Sequence, residues 1–300
     1  MDLSRVEERV EELHRAFPSS WCHAFAVKAN PLKEVMKIMK EKGSGAECAS
    51  IVEVEHAIRL GFDTEKIIFD SPCKTNRDII RCLELGVLMN LDSLNELARV
   101  AGIMERYPQF ASGARIGLRV NPQIGPGTIE CTSTATVSSK FGIGIKDSYA
   151  EIKQAFSDYP FITGLHSHIG SQGCPMSMLV EGTLSLVELA QSVGAQWLDI
   201  GGGLSTSYDG VDELHSFSEY ASVLKEKAPI LFEGKFKIYT EVSSFEFFYR
   251  LFTFLLVWSC YGSKIWLDRV ESRRNENEWW CRYCSVSYWL EFIAKDLLPP

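Results

Sequence analysis

Residues 24–31 read Ala24-Phe25-Ala26-Val27-Lys28-Ala29-Asn30-Pro31. An apolar run ends in a lysine, and Asn30-Pro31 punctuates the chain directly after it. That is the pattern of a short strand buried on both faces, with one charged residue at its carboxyl end. Working outward, the same unit recurs: a short apolar run, then a longer charged and amphipathic run. Strands are predicted at 23–28, 46–49, 67–70, 87–92, 114–121, 162–168, 197–200 and 236–241. Helices are predicted at 32–42, 51–60, 76–85, 93–106, 149–156, 178–193 and 213–227, with another ahead of Pro18. Alternation with helices as crossovers means parallel strands. Eight such units is the count that closes a TIM-type (β/α)8 barrel, an α/β fold of ~250 residues. Periodicity alone leaves an open doubly wound sheet as the alternative.

The composition changes near Val242. Five of the seven tryptophans (Trp258, Trp266, Trp279, Trp280 and Trp289) lie beyond it. We therefore divide the chain into residues 1–241, the barrel, and 242–300, an aromatic-rich tail. The stretch 245–261 is apolar and aromatic but is interrupted by Glu246 and Arg250, and the uncharged part 251–257 is far short of the ~20 residues a membrane span needs. Apolar residues make up 46% of the chain, enough for a substantial core. The net charge of -8 argues against nucleic acid or an anionic membrane surface as the main partner. Nine scattered cysteines and a charged N-terminus without an apolar stretch fit reduced thiols in the cytoplasm. A plastid location would need a longer N-terminal form.

In a closed barrel the active site lies at the carboxyl ends of the strands. Lys28 ends the first. Desolvation there would lower its pKa and give a nucleophilic amine suited to a Schiff base; by itself it also reads as a surface lysine. Glu47 ends the second strand as a rim carboxylate. His166 and His168, two apart, share one strand face, which suits either a metal ligand pair or an imidazole stacked on a flat cofactor. No third ligand set asks for a metal. The turn after them, with Ser171, offers donors to an anion. Gly201, Gly202 and Gly203 let backbone N–H groups approach a phosphate, without the spacing of a dinucleotide or P-loop motif. Glu241 ends the last strand. The lone Cys281-x-x-Cys284 has no second pair.

The runs Phe25–Pro31, Gly45–Ser50, Leu91-Asp92-Ser93, Leu118–Pro122, Lys140-Phe141-Gly142-Ile143, His166–Gln172 and Asp199–Gly203 occur in this order. They resemble the successive motifs of the fold type III, alanine-racemase-like decarboxylases that use pyridoxal 5'-phosphate (PLP). The resemblance covers about residues 5–241 and leans toward the diaminopimelate branch over the ornithine and arginine branches. It implies that Lys28 holds PLP covalently and that His168 stacks on the ring. Ser171 and Gly201–Gly203 would hold the phosphate, Glu241 would pair with the pyridine nitrogen, and Glu47 would lie near the lysine link. It implies removal of the α-carboxylate of a basic or diamino acid, diaminopimelate-like first and ornithine or arginine next, and a homodimer. After Glu241 the sequence departs from the family pattern: Val242-Ser243-Ser244 stands where a Pro-Gly-Arg run is expected. The β domain that would follow, with its proton-donating cysteine, has no counterpart in the tail. A truncated or alternatively spliced product, with a compromised dimer interface, is the expectation. The alternative is a non-catalytic homologue that regulates a partner.

Overall fold

A computed structural model describes residues 3–125, 134–137, 139–170, 174–204 and 215–242. The tail from residue 243, the turn residue Ser171 and the Cys281–Cys284 pair lie outside the described residues. The elements run α1 (Leu3–Ala16), β1 (Cys22–Ala26), α2 (Lys33–Glu41), β2 (Gly45–Cys48), α3 (Ile51–Arg59), β3 (Ile67–Asp70), α4 (Asn76–Leu85), β4 (Leu88–Leu91) and α5 (Leu94–Arg106). They continue with β5 (Arg115–Asn121), the two-residue β6 (Ile143–Gly144), α6 (Tyr149–Asp158), β7 (Ile162–Ser167), α7 (Met176–Val193), β8 (Trp197–Ile200), α8 (Phe217–Lys227) and β9 (Lys237–Val242). All strand pairs are parallel, and two of them close the ring: β4 with β5 and β1 with β9. This return of the last strand to the first excludes the open sheet and leaves the TIM-type barrel. No helix among the described residues is long and apolar enough to cross a membrane.

Local signals place the helices. Ser50 and Ser93 accept the third-residue N–H groups of α3 and α5, and Thr75 with Asp78 and Ser216 with Glu219 form reciprocal capping boxes on α4 and α8. Gly86 and Gly194 end α4 and α7 in the left-handed conformation. The sequence placed the start of α8 at 213. The Ser216 cap puts it at Phe217.

Strand parity divides the barrel interior into levels. The floor, toward the amino ends of the strands, is apolar: Ala24, Ile68, Leu88, Trp197 and Tyr239 form a cluster of their own. The Trp197 indole lies over two glycines. A Cβ at Gly164 would fall 2.0 Å from the ring, and one at Gly117 2.3 Å from it. Trp197 Nε1 donates to Thr163 Oγ1 at 2.9 Å, and the ring meets Tyr239 edge-on at 5.9 Å between centroids. The next inward position of each strand is polar in seven of the eight: Glu47, Asp70, Asn90, Arg119, His166, Asp199 and Glu241, all buried.

Candidate active site

Lys28 is not the last residue of β1. It sits one turn beyond, in a 3-10 turn over Val27–Ala29, because Asn30 folds back: its N–H reaches Val27 O, and its side chain accepts Leu32 N–H. That turn aims the amine over the barrel mouth. Lys28 Nζ lies 2.8 Å from Glu241 Oε1, and His168 Nδ1 lies 2.6 Å from Glu241 Oε2. One carboxylate from β9 thus joins the lysine after β1 to the histidine after β7. The Glu241 side chain is fully enclosed, whereas that of Lys28 is 38% exposed toward the mouth.

The electrostatics correct one sequence expectation. Burial does disfavour the Lys28 ammonium, but the Glu241 carboxylate, with Asp70 behind it, outweighs burial and raises the lysine pKa. The amine is stored in its charged form. Burial would raise the Glu241 carboxyl too, yet hydrogen bonds from His168 and Lys28, with the charge of the lysine, hold it well below the usual range. Burial keeps His168 neutral, since it lowers that imidazole further than Glu241 can raise it. Glu47 behaves in the opposite way. Burial, then the carboxylates of Asp199, Glu241 and Asp70, push it well above the usual range, which favours its protonated form. Neither of its oxygens has a hydrogen-bond partner among the described residues.

The glycine turn after β8 serves packing as well as access. A Cβ on Gly201 would fall 2.7 Å from His168 Nδ1, so only glycine lets the imidazole lie there. Gly203 has φ of +137°, and a Cβ there would press Leu179 at 2.7 Å. The Gly201 N–H is already given to Ser167 O at 2.8 Å. Gly201–Gly203 and Glu241 line a cleft that continues between α1 and α8.

Four polar residues of the interior, Asn90, Asp199, Arg119 and Asp70, were not read as site residues from the sequence. Asn90 Nδ2 donates to Asp199 Oδ2 at 2.7 Å, and Arg119 Nη1 to Asp70 Oδ2 at 2.8 Å. Arg119 also lies under the Phe141 ring at 4.8 Å, and Gly142 N–H reaches Asp92 Oδ1 at 3.2 Å. The Lys140-Phe141-Gly142 motif is therefore the cover of Arg119. Alternating polarity at the inward parity of 88–92 and 115–121 was the available signal. Among the described residues no group of three His, Cys, Asp or Glu side chains is placed to hold a metal ion.

The residues fit PLP: an amine for its carbonyl, a buried carboxylate for its ring nitrogen, a flat imidazole for its face, and unmatched buried acceptors on Glu47 and Asp70. A parallel barrel with a lysine, a histidine and a carboxylate joined at its mouth is the class of barrel that holds a carbonyl cofactor on an amine. The chain belongs to the pyridoxal-dependent decarboxylases: residues 3–245 match the pyridoxal binding domain of that family. It is 32% identical over 246 residues to the diaminopimelate decarboxylase of Aquifex aeolicus, covering 76% of this chain and 56% of that protein. The crystal structure of diaminopimelate decarboxylase from Helicobacter pylori complexed with L-lysine matches with a TM-score of 0.71 at 26% identity, over 80% of this chain and 61% of that one. The arginine decarboxylase of Paramecium bursaria Chlorella virus bound to agmatine matches with a TM-score of 0.65, also at 26% identity, over 79% and 61%. The chain thus spans about half to three-fifths of the length of the relatives it matches.

Proposed function

We propose that this chain is the PLP-binding barrel of a decarboxylase that removes the α-carboxylate of a diamino or basic amino acid, diaminopimelate first, ornithine and arginine next. The observation that carries the reading is the Lys28–Glu241–His168 junction at the mouth. The names of the relatives support the substrate class. In this reading residues 1–241 are the cofactor domain and 242–300 a separate segment, and the working form is a homodimer. When bound, PLP supplies an electron sink for the pair left as the Cα–carboxylate bond breaks. Lys28 would hold the cofactor, and Glu241 would keep a proton on the ring nitrogen. Neutral His168 would lie flat against the ring without adding charge. Ser171 and Gly201–Gly203 would take the phosphate, and protonated Glu47 would stand beside the lysine link as a proton source.

The test is to add PLP to the purified chain. A visible absorption band fixed by borohydride in the wild type, and absent in Lys28→Ala, is expected. Release of CO₂ from diaminopimelate should accompany it. No band in folded protein would overturn the reading. A band without CO₂ release from diaminopimelate, ornithine or arginine would favour a cofactor-binding homologue that regulates a partner, a reading suggested by the departure of the sequence after Glu241.

A further inference from the structure

His166 has no part in that reading, yet it lies at the centre of the polar level beneath it. Its ring is completely enclosed. Nδ1 is 2.9 Å from Asp199 Oδ2 and 3.1 Å from the Asp199 carbonyl oxygen, and Nε2 faces Asp70 Oδ2 at 3.4 Å, so one imidazole stands between β8 and β3 across the barrel. The same two oxygens accept from Asn90 on β4 and Arg119 on β5. A neutral imidazole has one N–H and could donate to only one of the two carboxylates. With a proton on Nδ1 alone, Nε2 would turn its lone pair toward the Asp70 carboxylate; only an imidazole protonated at both nitrogens presents an N–H to each side.

The charges around it ask for the same state. Asp70, Asp199 and Glu241 are the acids accepting from donors in this level, while Glu47 on β2 is kept neutral by burial. Lys28 and Arg119 supply two cations, Lys74 beside them is matched by its own buried partner Glu96, and His168 is neutral. Asp92 lies farther out, 3.8 Å from Arg119 Nε, with its own pKa raised by burial. A charged His166 is the third cation for three carboxylates. Burial would strip its proton, but Asp199 and Asp70 outweigh burial and raise its pKa to about 10.

We propose that His166 is a positioning residue: a permanent imidazolium that ties Asp199 to Asp70 and, by balancing the third carboxylate, leaves Lys28 able to give up its proton. The inference rests on the reading of Lys28 as the cofactor lysine. Capture of an aldehyde needs the neutral amine. A carbon–nitrogen double bond forms as the two amine protons leave with the aldehyde oxygen as water. A neutral residue at 166 would leave one more uncompensated negative charge, which would hold the Lys28 ammonium more tightly.

The experiment follows PLP uptake by the whole chain against pH, read as the visible band, in wild type, His166→Gln and His166→Gln/Asp199→Asn. The midpoint of uptake should rise by about one pH unit in the single variant, the size of effect one lost neighbouring charge produces. It should return to the wild-type value in the double variant, where charge balance is restored. Nitrogen-15 NMR of the wild-type imidazoles should find both His166 nitrogens protonated near pH ~8, well above an ordinary histidine pKa. A midpoint unmoved in His166→Gln, with only thermal stability lost, would overturn the proposal. So would a neutral His166 by NMR, which decides the matter even if the variants fail to fold. If wild type takes up no PLP while NMR finds the imidazolium, the cofactor reading fails and the positioning role falls with it, leaving the bridge as a feature of the fold alone.

Discussion

Gly164→Ala is the sharpest test of the barrel floor. The added methyl would sit 2.0 to 2.4 Å from three atoms of the Trp197 ring. Carbon atoms pack at ~3.5–4.0 Å, so the ring would have to retreat by roughly 1.5 Å. The shift would strain packing by ~1–3 kcal/mol. It would also break the Trp197–Thr163 hydrogen bond, worth ~1 kcal/mol, and disturb the edge-on contact with Tyr239, worth ~1 kcal/mol. The expected loss is about 4 kcal/mol, a large share of a typical ~5–15 kcal/mol stability. Urea unfolding of the whole chain, followed by tryptophan fluorescence, measures it. Gly102→Ala is the control: it lies within α5 with nothing near its missing Cβ, and should gain ~0.5–1 kcal/mol. A loss below ~1 kcal/mol for Gly164→Ala, or equal effects at both sites, would refute the reasoning.

Three other outcomes follow from buried charges. Glu47 has a raised folded pKa, so the native state is penalised once pH rises above the unfolded value of ~4.3; Glu47→Gln should therefore be more stable than wild type at pH ~7 and lose that advantage below pH ~4, as read by thermal denaturation across pH. His23, hydrogen-bonded to Thr240 and lowered to about 3 mainly by burial, contributes stability that is present above its unfolded pKa of ~6.5 and is lost as pH falls, at ~1.4 kcal/mol per unit; His23→Gln should flatten the stability–pH curve between pH ~6.5 and ~5. Lys74, fully enclosed, donates to Ser71 O, Asn90 O and Glu96 Oε2, and Lys74→Met should cost ~3–5 kcal/mol by leaving Glu96 buried without its ion pair; the Lys74→Met/Glu96→Leu double variant should cost less, as a urea-denaturation cycle would record.

Much of this architecture was readable in the chain. The strands are runs such as Ile67-Ile68-Phe69, buried on both faces between barrel interior and helices, and their apolar character survives without any knowledge of partners. Closure of the ring was not readable. It depends on β9 reaching β1 in register, Glu241 beside Ala24, a contact across almost the whole described chain. Lys28 and Glu241 stood out as charges at strand ends, but their partnership did not. The sequence placed the amine by desolvation alone and so gave its pKa the wrong direction. The inward level of Asn90, Arg119 and Asp199 was hidden for another reason. In a strand enclosed on both faces, apolar residues no longer mark which parity points inward, and the polar residues themselves have to be counted by level around the ring.

The Trp197 floor has a consequence for traffic. With indole packed against bare backbone at Gly117 and Gly164, the barrel is a cup and not a tube. Water, protons and deuterium bound for His166 and Asp199 are then expected to enter past Lys28 and His168. Isotope exchange at those buried sites would then keep time with the opening of the mouth, and whatever settles on the mouth would slow every one of them together.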